Sequence, residues 1–568
     1  MGCLFATATQ AQDIGTGSIS VRLTEFSAGL GDITGLFNGT QGDGDGQFTA
    51  TDFSPLSDGS GRVLVSTLGG KLRLLDSNGS HLDTLNAPYA NVGSLVPEND
   101  GGFGTTGLAV HPNFSNTGLP GFGKIYAIRT EASGSGFDVP SASDNNHVDV
   151  LVELMVDDPT SDSPTITSRD VARFGQPGRD HNVFDLAFDA NEWLYLSSGD
   201  GGGGNSQTLT EHHGTIMRID PVRTSGTGLF DPGHGRYGIP DANLGVTDGD
   251  ANTIPEAYAL GLRSPYRMNF HPETGRLYLG DVGGGGNESI NLIEAGLNYG
   301  WPTAGDGGCD ADGCNGETNS GLTEPIFAYG RDDGETVVGG FIYEGVDIPA
   351  LAGKYVFADF GRQVTGGQAP TPARLFYGDV DGSGDLIEAT VFEFIVDATG
   401  ELLADFVGGN LTSRQFIFSI GEDVNRELYL VVGDDPQFPR AINPDGRILR
   451  IVSTSIGNGV PGDVNQDGFV TGDGTGLPTE DDVAAFVLGW KTTGHATLID
   501  QIMAGDLDLN GITNFTDWYI LRTHHPNGPN LNLGELLAVP EPASLTLWAV
   551  GLAGLAGVKA RRVGTGFS

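Results

Sequence analysis

The sequence predicts an all-β protein, a six-bladed β-propeller, followed by a small α-helical module with calcium-binding loops and a C-terminal apolar helix. A short apolar and aromatic strand core recurs six times, at 63–65, 125–127, 194–196, 277–279, 355–357 and 428–430. Glycine is abundant, with 91 residues, and only 18% of the residues are charged. This balance is typical of many short strands joined by tight turns.

Three of the strand cores share one frame, in WLYLSSGD, RLYLGD and ELYLVVGD. A second strand signal, in GKLRLLD, GTIMRID and GRILRIV, also repeats. Each interval has room for about four strands of ordinary length. A four-stranded unit cannot bury both faces alone, so packing six of them around an axis closes the structure without long exposed edges. A series of β-sandwiches, in which such hairpins also recur, is the alternative.

Shifts in composition divide the chain into four parts. We interpret residues 1–17 as the remnant of a secretion signal, 18–453 as the propeller, 454–530 as the calcium-binding module and 531–568 as a sorting segment. The formal net charge is −44, from 29 basic and 73 acidic residues. This charge argues against nucleic acid and anionic membrane surfaces as partners.

Three cysteines bear on the cellular compartment. Cys309 and Cys314 lie close together in GGCDADGCNG, where a local disulfide is plausible in an oxidising compartment, although the sequence leaves open whether they are bonded. Zinc is not indicated, because no further cysteine or histidine nearby completes a set of four ligands. Cys3 lies in MGCLFATATQAQ, whose small residues resemble the end of a secretion signal.

Two acidic loops after residue 453 have the spacing of calcium ligands. The second loop places oxygen ligands at positions 1, 3, 5, 7 and 12, namely Asp506, Asp508, Asn510, the Ile512 carbonyl and Asp517. The first loop begins in the same way but carries the insertion GDGTGLPTE before its last ligand; its ligands are Asp463, Asn465, Asp467, the Phe469 carbonyl and Asp482. Such alternation is specific for calcium, and a solvated acidic loop is the alternative.

Each acidic loop leads into a predicted amphipathic helix, DDVAAFVLGW or TDWYILR. The paired arrangement resembles a dockerin. That resemblance implies a cohesin-like protein partner, and a calcium-stabilised spacer is the alternative role.

The C-terminal segment combines three features of a sorting signal. Val539-Pro540-Glu541-Pro542 precedes an apolar run from Leu545 to Val558, and a basic cluster follows. The segment resembles the PEP-CTERM family of tails, which implies processing by an exosortase-type enzyme. We therefore expect export to the cell surface, outer membrane or extracellular matrix of a Gram-negative bacterium, with transient anchoring in the inner membrane by the apolar helix. A simple tail anchor is the alternative.

The stretch from His181 to Pro302 contains the clusters HNVFDLAFDANEWLYLSSGDGGGG, GLRSPYRMNFHPETGRLYLGDVGGGGNESINLI and NYGWP. With LAVHPNF at 108–114, GGFIYEG at 339–345 and YVFADF at 355–360, these clusters resemble the glucose/sorbosone dehydrogenase family in order and spacing. That family includes soluble aldose dehydrogenases that use pyrroloquinoline quinone (PQQ) and a group similar to Hedgehog-interacting protein. The family fold is also a six-bladed propeller.

The resemblance implies roles for three catalytic residues. His181 matches the general base that takes the proton from the anomeric hydroxyl of the sugar, a task that suits a group titrating near neutrality. Asp200 matches the carboxylate that orients the imidazole. Arg263 matches the arginine beside the quinone oxygens, where it stabilises developing negative charge.

The resemblance also implies where a cofactor and calcium bind. The Gly283 and Gly284 carbonyls match the ligands of the cofactor's calcium, and Glu288 and Tyr299 would lie near a second, structural calcium. PQQ is a tricarboxylate, so basic side chains should surround it. The residues assigned to the cofactor are Arg263, Ser264, Gly283, Gly284, Arg331, Lys354 and Arg362.

The chain departs from the family pattern at two places where the cofactor would lie. Val183-Phe184 stands where glycines usually follow the His-Asn pair, and Ser264 stands where asparagine is usual. Arg267 and His271 are interpreted as structural. The first functional hypothesis is an exported PQQ- and calcium-dependent dehydrogenase that oxidises an aldose to its lactone and passes the electrons to an external acceptor. The alternatives are a non-catalytic propeller that binds glycans or a protein partner and, with less support, a lactonase.

Overall fold

The computed structural model describes residues 14–30, 50–84, 86–93, 104–132, 136–139, 146–178, 181–303, 321–361, 373–387, 390–396, 401–402, 415–434, 446–453, 462–465, 469–493, 502–507 and 512–537. The chain forms two compact units, the first of which ends at Val452, while the short segment Asp347–Pro349 clusters with the second. Cys3, Cys309, Cys314, Arg362, Asp467, Asp508 and Asn510 lie outside the described residues, as does the sorting segment from residue 538 onward.

The first unit is built from β-strands. In chain order these are β1 (Thr16–Ser27), β2 (Ala50–Pro55), β3 (Val63–Thr67), β4 (Lys71–Leu75), β5 (Ala90–Asn91), β6 (Leu108–Val110), β7 (Lys124–Ala132), β8 (His147–Val156), β9 (Ile166–Gln176), β10 (Val183–Phe188), β11 (Leu194–Ser198), β12 (Thr215–Ile219), β13 (Leu229–Phe230), β14 (Ile239–Pro240), β15 (Ala257–Leu260), β16 (Pro265–Phe270), β17 (Leu277–Asp281), β18 (Asn287–Ile293), β19 (Phe327–Gly330), β20 (Val337–Ile342), β21 (Lys354–Asp359), β22 (Arg374–Asp379), β23 (Phe392–Val396), β24 (Glu401–Leu402), β25 (Gln415–Glu422), β26 (Leu428–Asp434) and β27 (Arg447–Ser453). Among the strands that the structure describes lie a short helix, α1 (Leu244–Thr247), and a 3-10 turn at Pro349–Leu351.

The described strands form mostly antiparallel sheets. Strands β2–β5, β6–β9 and β16–β19 each make a four-stranded sheet, and β10, β11, β12 and β15 make another. A nine-stranded sheet runs in the order β20-β21-β22-β23-β1-β27-β26-β25, with β24 added to β23. Within it β1 pairs with β23 in parallel. The prediction of an all-β, propeller-like fold is confirmed.

The six strand cores identified in the sequence occupy equivalent places. Each core lies in the second strand of its group, in β3, β7, β11, β17, β21 or β26, and these strands are buried along most of their length. Second strands pack their apolar side chains on both faces of the sheet, so they are apolar without the alternation seen in exposed strands. Consequently these strands gave the clearest repeat signal in the sequence.

A buried arginine joins the inner strands. The Arg267 guanidinium lies 3.0 Å from an oxygen of Asp185 and 3.4 Å from one of Asp52. It also donates to the carbonyls of Thr51 at 2.6 Å and Thr106 at 2.8 Å. The prediction that Arg267 is structural is therefore confirmed. We call this group the axial cluster (Arg267, Asp52 and Asp185).

The second unit is small and helical. The helices bounded within its described residues are α2 (Asp482–Gly489), α3 (Phe515–His524) and α4 (Leu533–Leu536), with a 3-10 turn at Gly528–Asn530. They pack around a core of Val464, Val470, Val483, Ala485, Phe486, Trp518, Leu521 and Leu533. The two predicted helices that follow the acidic loops correspond to α2 and α3.

Within the residues that the structure describes, no helix has both the length and the apolarity needed to cross a membrane. The predicted sorting helix lies outside those residues.

Candidate active site

His181 and Asp200 meet at one end of the first unit. His181 lies two residues before β10, and Asp200 follows β11 by two residues. The Nδ1 atom of His181 forms a hydrogen bond with Oδ1 of Asp200. The histidine side chain keeps 17% of its surface exposed, whereas that of Asp200 keeps 3%. A buried carboxylate on Nδ1 fixes the ring and leaves the lone pair on Nε2.

The backbone around this pair has little freedom. His181 has φ 62°, a left-handed conformation that is uncommon for a residue with a side chain. Gly199 passes directly behind it, and a Cβ atom at this glycine would stand 2.6 Å from the His181 carbonyl oxygen. Strain at a histidine is typical of a functional site, where the surrounding structure holds a residue in a conformation it would otherwise avoid.

Asp200 is held as an anion by donors on both oxygens. The backbone N–H groups of Gly202 and Gly204 donate to it at 2.8 and 3.1 Å, and the indole Nε1 of Trp301 donates at 2.8 Å. Burial alone would raise the pKa of Asp200, but the hydrogen bond and charge of His181, with the Trp301 donor, hold this pKa below its usual value. The carboxylate can therefore stabilise a positive charge on His181.

Trp301 also contacts Arg263. The guanidinium carbon of Arg263 lies 5.4 Å from the centre of the indole ring, and the Arg263 carbonyl accepts a 2.8 Å hydrogen bond from the Asp200 N–H. His181, Asp200, Trp301 and Arg263 thus form one continuous group. The sequence analysis assigned the other three to catalysis but did not assign a site role to Trp301.

Arg263 and Ser264 are fixed through their backbone by Asp281. Its carboxylate accepts from the N–H of Arg263 at 3.0 Å and from that of Ser264 at 2.7 Å. Burial raises the pKa of Asp281 to about 6, although these donors oppose the rise. The sequence analysis missed Asp281, which lies at the end of the repeated LYLGD strand and resembled a purely structural position.

Two guanidinium groups converge on the Gly283 carbonyl. Arg263 donates to it at 2.8 Å and Arg331 at 3.0 Å. Arg331 also forms a 2.7 Å ion pair with Glu288, whose side chain is fully buried. Burial raises the pKa of Glu288, and Arg331 opposes this effect. Because two like charges on one carbonyl repel each other, this place favours a ligand with several negative charges.

Two other assigned residues are not brought to this group. Lys354 begins β21, at the end of that strand opposite to Asp359, and pairs with Asp379. The Tyr299 hydroxyl donates to the Leu292 carbonyl at 2.6 Å. That carbonyl lies near the end of β18 away from Glu288, and the place of both residues near a second calcium stays a prediction.

Val183 does not extend into the site. It is the first residue of β10, 1% exposed, and packs in a core with Val171, Phe174 and Leu196. Its N–H donates to the buried Asp149 at 3.2 Å, and Asp149 also accepts from Gln176 at 2.9 Å. The departure from the family's glycine at this position therefore changes the packing behind His181 rather than the surface in front of it.

The acidic loops of the second unit share one hydrogen-bond arrangement. In the second loop, Asp517 accepts the N–H of Asn514 at 2.7 Å; in the first, Asp482 accepts the N–H of Thr471 at 2.8 Å. Both donors stand at position 9 of their loops. Asp482 therefore takes the position-12 place despite the insertion, and Asp463, Asp482, Asp506 and Asp517 are all fully buried. Burial and the nearby Asp463 charge raise the pKa of Asp482. Among the described residues, no group of three or more histidine, cysteine, aspartate or glutamate side chains is placed to hold a metal.

Comparison with known proteins shows which family the chain resembles. A model of the family described as glucose / sorbosone dehydrogenase matches residues 49–364, and the PEP-CTERM protein-sorting motif matches residues 538–563. The sorting motif confirms the interpretation of the tail and indicates an exported protein that is sorted at a membrane.

Several curated proteins are similar to the chain. The HIPL1 protein of Arabidopsis thaliana is 28% identical over 441 residues, covering 67% of this chain and 60% of that protein. The Hedgehog-interacting protein of Homo sapiens is 26% identical over 406 residues, covering 67% and 50%. An aldose sugar dehydrogenase of Escherichia coli strain K12 is 30% identical over 151 residues, covering 26% and 36%. The chain thus matches 60% or less of the length of each of these relatives.

Solved structures agree with the fold. The soluble aldose sugar dehydrogenase of Escherichia coli in the apo-form has a TM-score of 0.51 at 19% identity, covering 76% of this chain and 99% of that chain. A glucose dehydrogenase has a TM-score of 0.52 at 18% identity, covering 75% and 98%. At these identities the likeness supports the fold alone. Because the family model matches more than half of its residues, the chain belongs to the glucose/sorbosone dehydrogenase family.

Proposed function

We propose that the chain is an exported quinoprotein that oxidises the anomeric carbon of an aldose to a lactone and passes the electrons to an external acceptor. The observation that carries this proposal is the continuous group His181–Asp200–Trp301–Arg263. In it, Nε2 of His181 takes the proton of the anomeric hydroxyl, and the ionised Asp200 stabilises the resulting imidazolium. PQQ, when bound, supplies the acceptor for the hydride of the sugar carbon.

The residues around Gly283 fit an anionic cofactor. Arg263 and Arg331 place two guanidinium groups within hydrogen-bond distance of one carbonyl, and a polycarboxylate would relieve their mutual repulsion. We assign these two residues to the cofactor's carboxylates; once both guanidinium groups turn to those carboxylates, the Gly283 carbonyl would be free to bind the cofactor's calcium. Lys354 is not part of this assignment, because it lies at the other end of its strand.

A non-catalytic propeller that binds a glycan or a protein partner is the second candidate. It is favoured by the internal pairing of the same residues: Arg331 is neutralised by Glu288 and both guanidinium groups already have carbonyl acceptors. The similarity to Hedgehog-interacting protein and HIPL1 also supports this candidate.

One experiment separates the two candidates. Purified protein receives PQQ and calcium, and dye reduction is followed with a panel of aldoses alongside PQQ binding measured by absorbance. The enzyme hypothesis expects His181→Ala to abolish dye reduction but keep PQQ, and Arg331→Gln to weaken PQQ binding. The matched controls are His271→Ala and Arg374→Gln, which remove residues paired elsewhere, with Glu344 and Glu393. If the wild-type protein binds no PQQ, the enzyme hypothesis fails.

We also propose that the first unit has six blades. Strands β20–β23 and the set β25–β27 with β1 would be the fifth and sixth, joined by the parallel β1–β23 pair. The support is that six strands, β2, β6, β10, β16, β20 and β25, line one axial cavity. A truncated chain of residues 18–453, the proposed propeller, would then fold on its own, which a cooperative thermal transition tests.

For the second unit we propose a dockerin-like module that binds two calcium ions and a cohesin-like partner. The support is the shared position-9 to position-12 hydrogen bond and the burial of four aspartates. For the tail we propose cleavage by an exosortase-type enzyme, because the sorting motif includes Pro540 and the apolar run. Mass spectrometry of the exported protein, compared with the full chain, tests this cleavage.

A further inference from the structure

A cavity of about 310 Å³ lies on the axis, at the end of the strands opposite to His181. Its wall includes the last residues of β2, β6, β10, β16 and β25, namely Pro55, Val110, Phe188, Phe270 and Glu422, together with Phe341 of β20. The axial cluster, through Arg267, Asp52 and Asp185, forms its floor. The cavity is therefore separate from the candidate active site.

Glu422 is the ionisable member of this ring of strand ends. The ends of the other five strands are apolar: Pro55, Val110, Phe188, Phe270 and Ile342. The Glu422 side chain is 10% exposed and forms a 2.7 Å ion pair with Arg426, whose side chain is 44% exposed. The carboxylate thus stands beside apolar strand ends, with the long side chain of Arg426 at the mouth of the cavity and the charges of Glu344 and Asp423 nearby.

Arg426 stands in an unfavourable backbone conformation. A turn follows each of the six inner strands. In each turn, the first residue after the strand donates its backbone N–H to the carbonyl of a later residue. The residue immediately before that acceptor residue has a positive φ. Those residues are Gly61, Gly123, Glu192, Gly275, Gly353 and Arg426, with φ between 67° and 75°. Four are glycine, which adopts this conformation without strain. Glu192 has a structural reason, since it accepts a 2.7 Å hydrogen bond from Asn113.

The contact that accounts for Arg426 is its ion pair with Glu422. A residue kept in a strained position by such a contact points to a function for the contact. Here the guanidinium occupies the place of a cation beside a buried carboxylate at the entrance of the cavity. The Arg426 guanidinium therefore fills a cation position beside Glu422 that an external cation could take instead.

The wall chemistry selects the class of ligand. Among the described lining residues, four carboxylates, Asp52, Asp185, Glu422 and Asp423, stand against two guanidinium groups, Arg267 and Arg426. This excess disfavours anions. Phe188, Phe270 and Phe341 supply aromatic rings, and a cation near an aromatic ring gains electrostatic stabilisation that a neutral molecule does not. We propose that this cavity binds a small organic cation, of the amine or quaternary ammonium class. Glu422 would be its counter-ion, and the bound cation would displace the Arg426 guanidinium from Glu422.

Choline serves as the probe, and its neutral carbon isostere 3,3-dimethylbutan-1-ol serves as the ligand control, both measured by isothermal titration calorimetry on the full chain. The proposal expects saturable choline binding, with the isostere at least tenfold weaker. Glu422→Gln should weaken choline binding at least tenfold, because the counter-ion is lost. Arg426→Gly should tighten it about fivefold, because the competing cation and the strained backbone are both removed.

Glu192→Gly is the matched control, since it makes the same backbone change in an equivalent turn, at a residue that does not line the cavity. It should leave choline affinity unchanged. Equal binding of choline and the isostere, or glucose binding that is lost in Glu422→Gln, would overturn the assignment of a cation. Absence of choline binding in both wild type and Arg426→Gly would overturn the site itself. None of these outcomes depends on PQQ, so the result is independent of the proposed oxidation.

Discussion

The indole of Trp301 donates a 2.8 Å hydrogen bond to the carboxylate of Asp200, 101 residues earlier in the chain. The same carboxylate holds His181 through its other oxygen. Trp301 therefore positions the pair from behind while its ring contacts Arg263.

Replacing this donor should weaken the His181–Asp200 pair. In Trp301→Phe, Asp200 loses one of the contacts that lower its pKa, so we expect this pKa to rise toward its ordinary value of 3.8. In the proposed enzyme, sugar oxidation should slow by about tenfold, with a smaller effect on KM. NMR titration of the carboxyl carbon and steady-state kinetics measure the two effects. Trp193→Phe, at an indole that packs on Arg218, is the control and should change neither quantity.

Asp281 should give the protein a distinct dependence of stability on pH. Its pKa is about 6 in the folded state, against an ordinary value of 3.8. Between these values the folded state binds more protons than the unfolded state, so this group lowers the free energy of unfolding as pH rises from about 4 to 6. Asp281→Asn should remove that part of the slope. Urea unfolding at a series of pH values checks this, and an unchanged slope would contradict it.

The axial cluster should be sensitive to loss of its cation. Arg267→Leu leaves Asp52 and Asp185 buried without a counter-charge, so we expect a loss of about 3–5 kcal/mol in the free energy of unfolding. Adding Asp52→Asn and Asp185→Asn should restore much of this loss. Arg236→Leu removes an arginine that is 31% exposed and paired with Asp138, itself 22% exposed, and should cost less than about 1 kcal/mol. Equal effects of the two arginine substitutions would show that burial does not set the cost.

Calcium should stabilise the second unit through both acidic loops. Asp482→Ala and Asp517→Ala each remove a buried position-12 carboxylate, so each should lower the stoichiometry of calcium binding by one ion, measured by calorimetry. Chelation should lower the melting temperature of the unit, since an ion bound only to the folded state stabilises it. Asp473→Ala, in the insertion, is the control, because this side chain accepts hydrogen bonds from Thr475 within its own turn. Unchanged stoichiometry in Asp482→Ala would assign a single site.

The sequence predicted the elements whose signal is local. Strand cores such as 194–196 and 277–279 are apolar because they are buried on both faces, and His181 and Arg263 stand in short motifs. The missed contacts are those between distant segments: Trp301 with Asp200, Arg331 with Glu288, and Asp281 with the backbone of Ser264. Lys354 was assigned to the cofactor because of its charge. It lies at the start of its strand, at the end of the sheet away from the site, and the presence of a basic residue in the sequence does not show at which end of the sheet it will lie.

Strand β1 lies between β23 and β27, so residues 16–27 meet their first partner only after residue 396 has been made, and their second only after residue 453. At about 5–20 residues per second, β1 would wait on the order of tens of seconds during synthesis with both edges open. Completion of the nine-stranded sheet therefore depends on a strand that is made well before both of its partners. During this interval both edges of β1 can pair with other chains, so we expect that covering this strand would raise the yield of folded protein.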